Sequence, residues 1–366
     1  MTLVFWQNII SIHQQTFLEA VAAEAGVGKV VLVAEHAISG YRKDMGWEVP
    51  EIAGVAVIVS PSLQQVSDLV IQHKDAVHIM GGIKVGAMLS AAFSACIGAG
   101  CRLGIMTEPY DDAGPKGLLR RLKYSYYRWK YKNYIDFVLA IGRQGVKQYT
   151  GLGFNENRVF PWAYFISIPL AQRVPGVNGL QRIIYAGRLE QGKGIYKFAE
   201  ELVKTGNRNY ILDMYGAGAD EVQLRQLIAA RGLQENMHIY PFLPHGELLA
   251  KYGAYDWVVL PSAAKDGWGV IVSEGLLNGL KAMCSSICGV SWAVHNGANG
   301  MVFDWSIEGS CSNAIAAMFA ADGFAVNGAI SSRSKATLSA EAGATYFMQI
   351  MGSVYDNKKK PPIPWE

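Results

Sequence analysis

Several things are scarce in this chain of 366 residues, and each scarcity removes a class of explanation. Cysteine is limited to Cys96, Cys101, Cys284, Cys288 and Cys311, an odd number in mostly apolar surroundings. That usage fits reduced thiols and argues against a disulfide framework. Cys284 and Cys288 have no neighbouring His pair or second Cys pair, so their spacing does not make a zinc site. Long apolar runs are missing too. The longest stretch free of both charged residues and histidine, between Lys84 and Arg102, is full of Gly, Ala and Ser and reads as a buried helix flanked by turns. The opening MTLVFWQNII has no basic start, and Gln7 and Asn8 interrupt it, so no secretory leader is expected. Net charge is only +3, too little to imply a polyanionic partner. With 51% hydrophobic and 17% charged residues, general disorder is excluded.

What is present is a repeated grammar. In the first half KVVLVAE, VAVIVS, AVHIMG, RLGIMTE and FVLAIG read as buried strands, separated by helix-like stretches such as HQQTFLEAVAAEAG. The second half repeats it with RIIYAGRL, YILDMYGAG, MHIYPFL, DWVVLPS and KAMCSS. Alternating signals of this kind imply α/β domains with parallel sheets covered on both faces. The expected division is a first domain over 1–165, a linker over 166–180 rich in Pro and Gly, and a second domain over 181–335. A helix over 336–356 and a tail over 357–366 follow. Paired doubly wound domains bind ligands in the cleft they face.

Three segments of the second half converge. In YAGRLEQGKGIYKF, Gly187 permits a tight exit from a strand, and Arg188 and Lys193 bracket a flexible turn before a helix. A helix start with two cations suits a diphosphate; solvated loop residues would look the same at this spacing. In YGAGADEVQL, Gly216 and Gly218 let the backbone approach a ligand. The dinucleotide fingerprint is incomplete, since its third glycine position holds Glu221. In LPSAAKDGWGVIVSEGLLNGL, Asp266 precedes the turn Gly267–Trp268–Gly269, and Glu274 lies in the first turns of the next helix, where a carboxylate can accept from a vicinal diol. Asp266 alone also reads as a helix cap.

Together GRLEQGKG, YGAGADEVQLRQLIAARGLQENMHIYPFLPHGELLAKYGAYDWVVLPS and DGWGVIVSEGLLNG resemble the C-terminal domain of family 4 glycosyltransferases, retaining enzymes of the two-Rossmann GT-B fold. The resemblance runs from about Arg182 to Asp304. More loosely, VFWQNIISIHQQTFLEAVA, GIMTEPYDDAGPKGLLRRLKY and IDFVLAIGRQGVKQYTGLGF resemble N-terminal domains of bacterial members that build surface polysaccharides, and the last long helix resembles the one that crosses back to the N-terminal domain.

By that resemblance Arg188 and Lys193 hold the diphosphate of a nucleotide sugar, UDP- or GDP-linked, and Glu274 holds the ribose. Asp266 faces the donor sugar's hydroxyls, with Gly216 and the amides of Gly267, Trp268, Gly269 and Val270 nearby. Asp266 stands where the family usually has Glu. LKAMCSSICGV keeps Gly279 but lacks the family's proline, which leaves the start of the next strand open. No Asp-x-Asp occurs, so no metal is expected.

The family's N-domain histidine is missing. The matching GIMTEPYDD offers Glu108, which is either a polar contact to the donor or a surface acid. His13, at the first strand-to-helix turn, is either a second contact or a packing residue. Retaining transfer without a nucleophile suits a front-face mechanism in which the departing diphosphate takes the acceptor's proton.

KGLLRRLKYSYYRWKYKNY, residues 116–134, has seven Lys/Arg, six Tyr/Trp and no acid. Such a helix can lie on an anionic membrane. It can equally be a solvated face with tyrosines packed beneath, and no nucleic-acid motif accompanies it. The resulting expectation is a cytoplasmic enzyme, peripheral on the inner membrane face. It would move a hexose to a glycan or an undecaprenyl-diphosphate-linked acceptor in O-antigen (lipopolysaccharide), capsule or exopolysaccharide synthesis. The alternatives are an NAD(P)-dependent oxidoreductase and a non-catalytic GT-B partner subunit.

Overall fold

The computed structural model describes residues 1–38, 49–176, 179–320 and 327–366. These fall into two compact units. One holds the described residues up to Ser167 together with Ser339–Pro364; the other holds Ile168–Leu338 and Trp365–Glu366.

The first unit begins with β1 (Thr2–Ile9), α1 (Ile12–Ala23), β2 (Lys29–His36), β3 (Val55–Val59), α2 (Leu63–Gln72) and β4 (Val77–Met80). It continues with α3 (Gly86–Ala99), β5 (Arg102–Thr107), α4 (Gly114–Tyr131), β6 (Phe137–Ile141), α5 (Gly142–Gly151) and β7 (Val159–Trp162). The sheet order is β3-β2-β1-β4-β5-β6-β7, and each pairing is parallel. Apolar runs such as FVLAI are buried along their whole length because helices cover both faces.

The second unit carries β8 (Gln181–Ala186), α6 (Ile195–Lys204), β9 (Tyr210–Tyr215), α7 (Glu221–Ala230), β10 (Met237–Tyr240) and α8 (His245–Lys251). Then follow β11 (Trp257–Leu260), α9 (Val270–Leu277), β12 (Lys281–Ser285), β13 (Gly300–Phe303), α10 (Ser310–Ala320) and α11 (Asn327–Leu338). Its order is β10-β9-β8-β11-β12-β13, again parallel throughout. In each sheet the winding reverses once, between β1 and β4 and between β8 and β11. Ligands of open α/β sheets bind beyond the strand ends at such a reversal. The strand after Gly279 starts at Lys281, with no proline needed to launch it.

Three expected boundaries are corrected. Residues 168–176 do not form a free linker, and 177–178 lie outside the described residues. Ala171 N–H donates to Asn278 Oδ1 (2.8 Å) and Val174 N–H to the Gly253 carbonyl (2.8 Å). Arg173 and Arg182 both pair with Asp256, at 2.7 and 3.1 Å. Burial pushes the Asp256 carboxyl up, but the Arg182 hydrogen bonds outweigh it and hold it below the ordinary value. The closing helix α12 (Ala340–Tyr355) begins later than position 336, where Ser339 caps it through Ala342 N–H. It belongs to the first unit, its Phe347 ring lying 6.0 Å from both Phe5 and Phe17.

Nor is 357–366 a loose tail. Lys360 Nζ donates to the Glu156 and Val159 carbonyls of the first unit (2.6 and 2.9 Å). Trp365 is 2% exposed within the second. The prolines at 361, 362 and 364 fix φ and leave little backbone entropy to lose on ordering this segment.

Candidate active site

The site grows from loops that follow β8, β9 and β11. The loop after β8 and the loop after β9 extend their strands' pairing past the sheet. Gly187 N–H donates to the Tyr215 carbonyl, Leu189 N–H to Ala217 and Asp220 N–H to Leu189. Backbone lies directly on backbone here: a Cβ at Gly216 would sit 1.9 Å from the Gly187 carbonyl oxygen. That contact is the physical need behind Gly216, and it serves loop packing before any ligand.

Lys193 and Asp266 meet. Lys193 Nζ lies 2.5 Å from Asp266 Oδ2, with side chains 25% and 16% exposed. Buried Ser262 donates its hydroxyl to the same oxygen (3.1 Å). Asp266 is therefore no helix cap. The residue preceding α9 is Gly269, at φ 101°, a left-handed conformation that glycine adopts without strain. Arg188 is exposed and pairs with Glu190 at 2.9 Å. Both cations thus rest on carboxylates. Tyr185 ties them together. Burial, then the Asp266 carboxylate, push its phenol up, with Arg188 and Glu190 also acting on it. Its hydroxyl donates to the Arg188 carbonyl (2.6 Å). Cys288, bridged to Asp266 through the backbone, is pushed up to about 11, first by burial and then by that carboxylate. It is a structural thiol here.

Glu274 has a different set of partners. It is 2% exposed on α9. Its Oε1 accepts from His245 Nε2 and its Oε2 from the Tyr252 hydroxyl, both at 2.7 Å. Complete burial, and then Glu274 itself, hold the Tyr252 phenol far above its ordinary value, so it stays a donor. A carboxylate has about four acceptor positions, so it can take more than one donor at a time. His245 and Tyr252 were not foreseen. His245 sits at the start of α8, 29 positions before Glu274, and only tertiary packing reveals the pairing.

Trp268 was expected to meet a ligand through its backbone amide, and its side chain is occupied elsewhere. The indole is 1% exposed and donates to Ser273 Oγ (2.9 Å), so only its backbone can meet a ligand. Farther along the sheet Tyr240 stacks on Tyr215 (5.0 Å, 19°), and its carbonyl accepts from Gly216 N–H.

In the first unit, His13 and Glu108 gather around a residue the sequence did not flag. The exposed Glu108 accepts from the Tyr164 hydroxyl (2.6 Å), and the His13 ring lies 6.4 Å from the Tyr164 ring. The N-cap of α1 is Ser11 rather than His13.

Residues 172–322, which hold the Lys193–Asp266 pair and Glu274, match the family described as glycosyl transferases group 1. The match takes in less than half of the chain. An α-D-kanosaminyltransferase of Streptomyces kanamyceticus is 27% identical to the chain over 130 residues, 35% of this chain and 33% of that protein. The chain thus spans about a third of the curated relatives it matches. Likeness of fold extends further. The apo form of a lipopolysaccharide outer core galactosyltransferase superposes with a TM-score of 0.71, covering 96% of this chain and 99% of that one at 13% identity. An Anabaena protein, HepE, solved with UDP, gives 0.72 over 96% and 100% at 16% identity. HepE has also been solved with UDP-glucose. The two Rossmann-like parallel sheets are the GT-B fold, and the family match lies in its second half.

Proposed function

We propose that this protein is a retaining, metal-independent glycosyltransferase using a nucleotide-sugar donor. The observation that carries the reading is the Lys193–Asp266 pair beside Arg188, at the sheet reversal of a group 1 glycosyltransferase domain. In the reaction the donor's diphosphate takes Lys193 and Arg188, while donor-sugar hydroxyls donate to Asp266. Each charge-assisted hydrogen bond contributes about 1.5–3 kcal/mol. The α9 N-terminus adds roughly 0.3–2 kcal/mol through its dipole. The two cations therefore dominate and supply the countercharge that a metal supplies elsewhere.

The bond from the anomeric carbon to the β-phosphate oxygen breaks. The acceptor oxygen bonds to that carbon on the same face, and its proton passes to the departing phosphate oxygen. Stabilising the charge that develops on the diphosphate is the protein's main contribution. Glu274, held by His245 and Tyr252, orients the ribose. In the first unit, His13, Glu108 and Tyr164 are the candidate polar contacts to substrate.

The acceptor we propose is a lipid-linked glycan of surface-polysaccharide synthesis, reached at the cytoplasmic membrane face. The support is α4. Leu118, Leu119, Leu122, Tyr126 and Trp129 are between 49% and 69% exposed on one run of the helix, and Lys116, Arg121, Lys123, Lys130 and Lys132 are exposed around them. Tyr124 and Tyr131 pack inward, on Tyr110 and Phe93. Among the described residues no helix is long and apolar enough to cross a membrane, so α4 would lie on the surface.

The test is a thermal-shift screen with UDP-, GDP-, ADP- and TDP-sugars, followed by the product's anomeric configuration. One nucleotide class should raise Tm by mass action. A flat response to all four, or an inverted linkage from the responding donor, would refute the reading.

A further inference from the structure

Glycine-rich loops need something to aim them. The segment Gly267–Gly269 carries one large side chain, Trp268, and three contacts hold it. Its Nε1–H donates to Ser273 Oγ in α9 (2.9 Å), and its carbonyl accepts from Val290 N–H (2.8 Å). The third contact comes from about a hundred residues away. The indole of Trp365 lies against it, ring centres 5.4 Å apart at 63°, and each ring is almost completely buried.

Trp365 is itself fixed on two sides. Its ring meets Trp292 edge-on (6.1 Å, 78°), and Trp292 Nε1–H donates to Glu366 Oε1 (2.6 Å). Its carbonyl accepts from His295 Nε2 (3.0 Å). The flank Gly289–Ala293 that carries Trp292 also holds the loop by backbone, through Gly289 N–H on the Asp266 carbonyl. Three indoles and one carboxylate thus form a continuous wall behind the loop that precedes α9. Aromatic edge-to-face pairs of this kind are favourable beyond the area they bury.

We infer that Trp365 is a positioning residue for donor binding: by seating Trp268 it fixes the direction of the Gly267–Val270 amides and of Asp266. The left-handed Gly269 is a pivot with no side chain of its own to restrain it. Without the Trp365 wall, Trp268 gains room and the loop samples orientations that miss the diphosphate. The inference rests on the donor-site reading above and deepens it, because it places the control of donor affinity in a residue that touches no ligand.

The experiment compares wild type, Trp365→Ala and Trp365→Phe in two measurements. Hydrogen exchange of the amides of residues 267–270 needs no ligand; they should exchange at least tenfold faster in the alanine variant and return close to wild type in the phenylalanine one. Calorimetry with UDP, GDP, ADP and TDP then reads affinity. The nucleotide that binds wild type should bind Trp365→Ala at least fivefold more weakly. KM for the donor should rise in parallel, acceptor KM staying within twofold. Unchanged exchange at 267–270, or unchanged nucleotide affinity despite a lower Tm, overturns the inference. Wild type binding none of the four overturns the donor reading instead, while exchange still decides whether Trp365 aims the loop. If the alanine variant does not fold, Trp365→Leu, which fills the space without a ring face, is measured against the same expectations.

Discussion

Lys193 and Asp266 neutralise each other, and the consequences start there. Exchanging Lys193 for alanine removes a cation of the proposed diphosphate site and leaves Asp266, only 16% exposed, without its counter-charge. The loss of one charge-assisted hydrogen bond, about 1.5–3 kcal/mol, corresponds to roughly 10–150-fold in affinity. Lys193→Ala should therefore weaken nucleoside diphosphate binding at least tenfold by calorimetry, and Lys193→Arg should recover part of it. An alanine variant that binds within twofold of wild type would remove Lys193 from the site. Which residues could be read in advance follows from the same physics. Arg188, Lys193, Asp266 and Glu274 stand out because charge within glycine-rich strand exits has few structural uses. His245, Tyr252 and Tyr164 carry ordinary local signals and gain meaning only through partners 29, 22 and 56 positions away.

Among the elements, the strands that became legible are those buried on both faces. Continuous apolar runs such as VVLV and WVVL have no other stable use in a chain of alternating helices. Two of the four edge strands escaped. In β7, VFPW, Pro161 argues against a central strand, and the sheet resolves this by placing it at the rim, where one side needs no ladder partner. In β13, GMVF is too short to announce itself.

Within β4, His78 is fully buried, accepting from Trp6 Nε1 (3.1 Å) and bonding the His73 carbonyl through Nε2 (3.0 Å). Burial is the main cause that lowers its pKa from 6.5 to about 4. The unfolded chain therefore takes up this proton first, so stability is complete above pH 6.5 and falls as pH drops toward 4. The loss is about 3 kcal/mol from this one group. Urea unfolding of wild type and His78→Gln at pH 7 and pH 4.5 checks it: wild type should lose more stability than the variant over that interval. Equal losses would show that His78 does not govern it.

For the whole molecule, a net charge of +3 conceals a strongly uneven surface, since residues 116–134 carry seven cations and no acid. Arg120 and Arg128 are committed to Asp111 and to the Gly153 carbonyl. The exposed lysines and Arg121 remain on the side that bears the leucines. Each basic residue near an anionic surface adds about 1 kcal/mol, screened by salt. Sedimentation with phosphatidylglycerol-containing vesicles should pull the protein down at low salt and release most of it at high salt. Leu119→Glu with Trp129→Glu should weaken binding at both. Sedimentation no greater than with neutral vesicles would set the membrane reading aside. Composition revealed the basic-aromatic character of α4 but not which ring faces inward. The leucines, more than the tyrosines, form its outer ridge. The closing segment was misjudged for a related reason: KKKPPIPWE looks like solvent-loving chain until Trp365 is seen seated.

The Lys193–Asp266 contact also bears on turnover. A bare anion entering the site must break an existing ion pair and offers Asp266 nothing in return. On the proposed reading, a nucleotide sugar would bring phosphate for the lysine and hydroxyls for the aspartate, so the exchange would be even. Once the sugar has moved to its acceptor, those hydroxyls are gone. Asp266 would then reclaim Lys193, and the same short contact would loosen the grip on the spent nucleotide.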